Sequence, residues 1–169
     1  MAETNPAFLE RFHYLHMDAA MMKTYRGSCH CNTVRFPTRP VLTLDAAHRV
    51  LAAALADARQ HNWPGVVAVV DAEGYVITMD RMDGSLMLAS VELAPAKAKT
   101  AALFGKSTQV LEDSIHAGRV AAVTSGFVEM TGGVPLFVDG QEVGAIGVST
   151  AQPDWDAQIA PAGAAAAPK

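Results

Sequence analysis

Cysteine is nearly missing from this chain of 169 residues: only Cys29 and Cys31 are present. One residue apart, the two thiols are badly placed to bridge each other, which excludes a disulfide framework. Two roles remain for them: free thiols in a reducing cytosol, or metal ligands. Charge is sparse as well, at 18% of residues with a net of -4. Half of the residues are hydrophobic, so the chain is not a disordered acidic or basic tail. An isoelectric point of ≈ 5.8 leaves no overall electrostatic footprint for nucleic acid. No apolar run approaches the roughly 20 residues of a membrane-spanning helix. The opening Met1-Ala-Glu-Thr-Asn-Pro6 has neither a basic start nor an apolar stretch, which predicts no signal peptide. No phosphate loop or dinucleotide fingerprint occurs. What remains is a soluble, cytoplasmic protein, long enough for one domain with a core that needs no staples.

The chain divides unequally near Pro40. Residues 1–40 hold both cysteines and three of the six histidines (His13, His16, His30), with a local charge of +2; residues 41–169 carry -6. Phe36-Pro-Thr-Arg-Pro40 disfavours helix and reads as an extended connector. Beyond it, Thr43 is an N-cap, Asp45 sits in the first turn, and Ala47, Leu51, Ala54, Leu55 and Ala58 form one helical stripe ending near His61. Val66-Val-Ala-Val-Val70 reads as a buried strand, and Tyr75 to Asp80 returns beside it through the turn Asp71-Ala-Glu-Gly74. Asp71 and Asp83 suit hydrogen bonds to the turn amides. Helix follows to Phe104, either starting near Ser90 or kinked at Pro95. Another helix is capped by Ser107 or Thr108 and stops at Gly118. The stretch 118–133 has no periodicity to read. Val134–Val138, Asp139-Gly140 and Val143–Val148 form a hairpin with a type I′ turn, and a last helix begins at Pro153. Hairpins rather than crossovers join the strands, so the expected class is α+β, a mainly antiparallel sheet flanked by helices.

An ordered set of motifs then carries a resemblance. Val67-Ala-Val-Val-Asp71, Gly74, Arg81-Met-Asp-Gly84, Lys97-Ala98, Thr100-Ala101, Phe104, Gly132-Gly133-Val-Pro135, Val143-Gly-Ala-Ile-Gly-Val-Ser149 and Asp156…Ala160-Pro-Ala-Gly163 follow one another. Together they resemble the GlcG/HbpS-like family, which includes the C-terminal domain of PduO-type proteins. The resemblance covers roughly Leu42 to Ala167. It implies a profilin-like fold, a homo-oligomer and, as in several members, non-covalent binding of haem or a related tetrapyrrole. One departure follows the last strand, where Thr150-Ala151 stand in place of the Gly-Gly that relatives often carry. The segment Thr24-Tyr-Arg-Gly-Ser-Cys-His-Cys-Asn-Thr-Val-Arg-Phe36 resembles the Cys-x-Cys start of glutathione-dependent formaldehyde-activating enzyme-like zinc proteins. No cysteine follows Cys31 to complete their thiolate site.

The candidate site residues follow from chemistry and from this resemblance. Arg81 and Lys97 are cations for haem propionates or substrate carboxylates; Lys97 and Lys99 cannot face the same way on a helix, so at most one enters a site. Thr100 and Phe104 belong to the same family-like motif. His48, His61 and His116 are the imidazoles open to an axial role, and each has an ordinary structural reading beside it. Gly132 and Gly133 allow either close backbone approach to a ligand or a tight turn before the next strand. Gly144 and Gly147, inside a strand, signal close approach by a packed neighbour. No Cys-x-x-Cys-His occurs, which excludes covalent haem attachment. Cys29 and Cys31 face one side of a strand; with His13 and His16, which share a helical face with Glu10, they would suit zinc or iron, the alternative being unligated thiols and surface histidines. That extension supports a rival reading, a metal-assisted catabolic enzyme acting on an organic acid or an aromatic derivative.

Overall fold

The computed structural model describes residues 22–24 and 39–168. Within these, β1 (Met22–Thr24) pairs antiparallel with β2 (Pro40–Leu42). The main domain then runs α1 (Leu44–His61), β3 (Val66–Asp71), β4 (Val76–Arg81), α2 (Ser90–Phe104) and α3 (Thr108–His116). A 3-10 turn (Val120–Thr124), β5 (Gly133–Val138), β6 (Gln141–Ser149) and α4 (Pro153–Ala164) complete it. The four-stranded sheet has the order β4-β3-β6-β5 and every pairing is antiparallel, so the expected α+β class holds.

Local chemistry explains most element boundaries. Thr43 is extended and its hydroxyl accepts the Ala46 N–H, which starts α1 as predicted. Asn62, at φ 56°, ends it in the left-handed conformation that asparagine tolerates. Helix α2 starts at Ser90, so Pro95 falls in its second turn and forgoes one bond to the Val91 carbonyl. Asp71 Oδ1 accepts the N–H groups of Glu73 and Tyr75, fixing the β3–β4 turn. Asp139 (φ 50°) and Gly140 (φ 74°) give the β5–β6 hairpin its type I′ turn.

Strand β3 is buried on both faces, and its alternation divides the core. Val67 and Val69 pack with Val50, Leu51, Leu55 and Ile159 of α1 and α4. Val66, Ala68 and Val70 face the other way, toward Ala94, Ala98, Ala101 and Ala102 of α2. Trp63 stacks on Trp155 at 5.1 Å between ring centroids and ties α4 to the end of α1. The α2 face is nearly all alanine because β6 comes very close. A Cβ on Gly147 would lie 2.0 Å from the Ala94 carbonyl oxygen.

Glu142, at the start of β6, has a carboxylate oxygen (Oε1) buried without a partner. Burial pushes its pKa upward, against the opposing pull of Arg39. The other oxygen lies beside Gly105, which caps α2 at the negative end of its dipole. A carboxyl whose folded pKa is raised contributes fully at acid pH, and the contribution is lost as pH rises through the folded value. Glu142→Gln is therefore expected to raise the unfolding midpoint at about pH 7 and to give a shrinking gain toward about pH 4. Thermal melts of the two proteins across that range check this; an equal gain at every pH would contradict it.

Candidate functional site

Lys97 lies in the middle of α2 at an inward-facing position: Ala94 is three residues before it and Ala101 four after. It is 2% exposed, and a buried ammonium needs both a counter-charge and hydrogen bonds. Both are present. Nζ donates to Asp156 Oδ2 at 2.7 Å and to the Val148 carbonyl at 3.1 Å. Asp156 stands in the first turn of α4, itself buried, and its Oδ1 accepts from the Thr150 N–H and the Thr150 hydroxyl, each at 2.7 Å. Burial drives the Asp156 carboxyl upward in pKa, while Lys97 and the two Thr150 donors oppose that shift. The side chain of Thr150 is thus part of the polar cluster.

Gly132 and Gly133 are explained by the same closeness. Gly132 has φ +119°, and a Cβ there would lie 2.6 Å from the Val148 carbonyl, 2.9 Å from Asp156 Cβ and 3.2 Å from Lys97 Nζ. A Cβ on Gly133 would lie 2.4 Å from the Lys97 carbonyl. Gly132 lets the chain pass against the end of β6 and Asp156, and Gly133 lets β5 start against α2. The Gly133 N–H donates to Thr108 Oγ1 at 2.7 Å, which ties this passage to the start of α3.

Beside the ion pair opens a cleft of about 150 Å³. Lys97, Asp156 and Thr150 form one wall and Glu112 with Thr131 another; Met87, Met130 and Pro153 supply apolar surface. Glu112 Oε2 accepts the Thr131 N–H at 2.7 Å and also the Thr131 hydroxyl. Its Oε1 accepts no hydrogen bond among the described residues. Lys97 has three N–H donors and uses two. The cleft therefore offers donors at Lys97 and at the exposed Gln152 amide, acceptors at Glu112 and Gln152, and an apolar side.

The structure brings three of the predicted residues together here: Lys97, Gly132 and Gly133. Lys99 is exposed on the same helix, in keeping with the rule that only one of the two lysines turns inward. Thr100 is buried further along α2, donating to the Ala96 carbonyl and accepting the Val128 N–H. Phe104 is partly exposed at the helix end, edge-on to Phe127 with centroids 5.2 Å apart. Arg81 is exposed at the end of β4, His48 on α1 and His116 in the last turn of α3. His61 stacks on Trp63 at 4.4 Å. Of all the predicted residues placed by the structure, Lys97 alone lines the cleft. Cys29, Cys31, His13, His16 and Glu10 lie outside the described residues. Among the described residues no group of three or more His, Cys, Asp or Glu is placed to hold a metal ion.

Glu112, Thr131 and Thr150 escaped sequence reasoning as site residues, and so did the pairing role of Asp156. One signal was available: a single lysine on an alanine face must find a buried partner.

A family model described as haem-degrading, HbpS-like matches residues 42–165. Protein GlcG of Escherichia coli K12 is 38% identical over 113 residues, covering 66% of this chain and 84% of GlcG. A solved complex of PduOC with heme is 33% identical with a TM-score of 0.67, covering 75% of this chain and 94% of that one. A double mutant of Streptomyces reticuli HbpS is 33% identical with a TM-score of 0.70, covering 77% and 89%. The family match begins only at residue 42. The likeness of Thr24–Phe36 to formaldehyde-activating proteins finds no support in these relatives.

Proposed function

This chain belongs to the HbpS-like family of haem-degrading proteins, and on that premise we propose that it binds haem non-covalently as part of a homo-oligomer. The observation that carries the reading is the likeness to PduOC, solved as a complex with heme, over 94% of that chain. The cleft at Lys97 does not fit the group. Sites that enclose drug-sized ligands run to roughly 300–1,000 Å³, and this one is about 150 Å³.

A different surface does fit. The 3-10 turn packs on α3, and Phe104 at the end of α2 meets Phe127. Leu103, Phe104, Val120, Val123 and Phe127 are all exposed, and exposed large apolar side chains favour a ligand surface. His116 is the exposed imidazole there, in the last turn of α3. Lys106 and Arg119, exposed at the two ends of α3, supply charge for propionates. When bound, haem would supply the iron chemistry; the chain's own part is to cover the macrocycle with Phe104 and Phe127 and to present His116 as a ligand. Thr100 supports this surface by holding the Val128 N–H. Leu86 and Leu88, 82% and 71% exposed, favour burial against a second copy. Residues 41–169 form the ligand-binding domain in this reading, residues 1–40 an extension, and a cytoplasmic setting keeps Cys29 and Cys31 reduced.

A hemin titration followed by absorption tests the reading. A saturable Soret shift is expected, and His116→Ala should weaken binding by about tenfold or shift the band. A homogeneous protein that stays colourless with added hemin would overturn it. The small polar cleft favours a second reading, in which the protein acts on a small organic molecule.

A further inference from the structure

We infer that the cleft beside Lys97 is a second, separate binding site, for a small carbonyl compound that lacks a carboxylate. Its size sets the first limit. A cavity of about 150 Å³ holds about six non-hydrogen atoms, the size of benzene.

Its charges set the second limit. The Lys97 ammonium is already neutralised by Asp156 at 2.7 Å, so it presents a hydrogen-bond donor rather than a free positive charge. The facing Glu112 is a carboxylate with Oε1 unoccupied by any donor among the described residues. With all three groups ionised the lining carries one net negative charge. A ligand carboxylate in a cleft of about 150 Å³ would meet that charge at close range, and like charges repel.

Its hydrogen-bonding groups set the third. Lys97 has one N–H beyond the two it uses, and the Gln152 amide in the same lining donates as well, which calls for a carbonyl oxygen on the ligand. Glu112 Oε1 calls for an N–H or O–H donor on the same small molecule. Met87, Met130 and Pro153 take an alkyl group. A hydroxy-amide of three carbons satisfies all three demands. The corresponding hydroxy acid has the same shape and keeps the hydroxyl donor, but brings a carboxylate to a lining that already carries one net negative charge.

Lactamide and lactate form the isosteric pair that tests this. Binding of each to the full chain is followed by ligand-observed NMR and calorimetry. Lactamide is expected to bind at least about tenfold tighter than lactate, and Glu112→Gln should narrow that ratio by admitting the anion. Glu112 is partly exposed, so this variant tests the site without disturbing the buried pair. Equal binding of the two probes, tighter binding of lactate, or no binding of either would overturn the assignment. So would a lactamide preference that Glu112→Gln leaves unchanged, because the probe would then be bound elsewhere. The haem reading stands or falls separately, on the hemin titration.

Discussion

Replacing Lys97 with methionine is expected to destabilise the fold by about 3–5 kcal/mol. The volume is nearly kept, so the loss comes from charge. Asp156, 3% exposed, would be left ionised in a buried site with only the two Thr150 donors. The Val148 carbonyl would also lose its donor from the lysine. For a chain of this length the loss corresponds to a fall of about 10 °C in the melting midpoint. Adding Asp156→Asn removes the stranded charge and keeps an oxygen for Thr150. The double variant should therefore recover a large part of the loss, because the two residues act as one unit. Denaturant unfolding followed by the fluorescence of Trp63 and Trp155 measures both. If the single variant lost less than about 1 kcal/mol, the pair would not be the buried ion pair described here.

Gly147→Ala is expected to cost at least about 3 kcal/mol. The added Cβ would lie 2.0 Å from the Ala94 oxygen, 2.6 Å from the Ala98 nitrogen and 2.9 Å from the Ala98 Cβ. The first two are helix backbone, and no rotamer change can move them. Helix α2 would have to lift away from β6. That would open the packing of Ala98 and Ala101 on Val70 and Ala145 and draw Lys97 away from Asp156. The same denaturation experiment reads the stability. A far-UV spectrum tells a shifted helix from an unfolded one. A variant as stable as the parent would show that α2 does not rest on the sheet at this distance.

Much of the fold was legible in the sequence because the signals were local. The Thr43 cap, the alanine and leucine stripe of α1, the β-branched run of β3 and the Asp139-Gly140 turn each act within a few residues. They appear at the expected positions. The stretch 118–133 was unreadable because its structure is non-local: a 3-10 turn and then extended backbone held from outside. Val128 is held by Thr100, Thr131 by Glu112 and Gly133 by Thr108. Gly132 and Gly133 stood out in the sequence, with a ligand or a turn as alternatives; a Cβ on Gly132, at φ +119°, would meet the Val148 carbonyl and Asp156, and one on Gly133 would meet the Lys97 carbonyl and Thr108.

By itself the sequence determined the element order, the antiparallel α+β class and the two faces that helices must cover. These rest on periodicity and turn chemistry, which are properties of neighbouring residues. It determined the family as well, through motifs spread over most of the chain. Only the tertiary structure decided that β6 inserts between β3 and β5, since strand order depends on which faces and edges meet after the chain has crossed back. It alone decided that Lys97 meets Asp156, 59 residues away, and that Glu112 faces the same cleft. A buried charge must be paired, and the sequence states that demand. Which partner meets it depends on where the middle of α2, the end of β6 and the start of α4 come together in space.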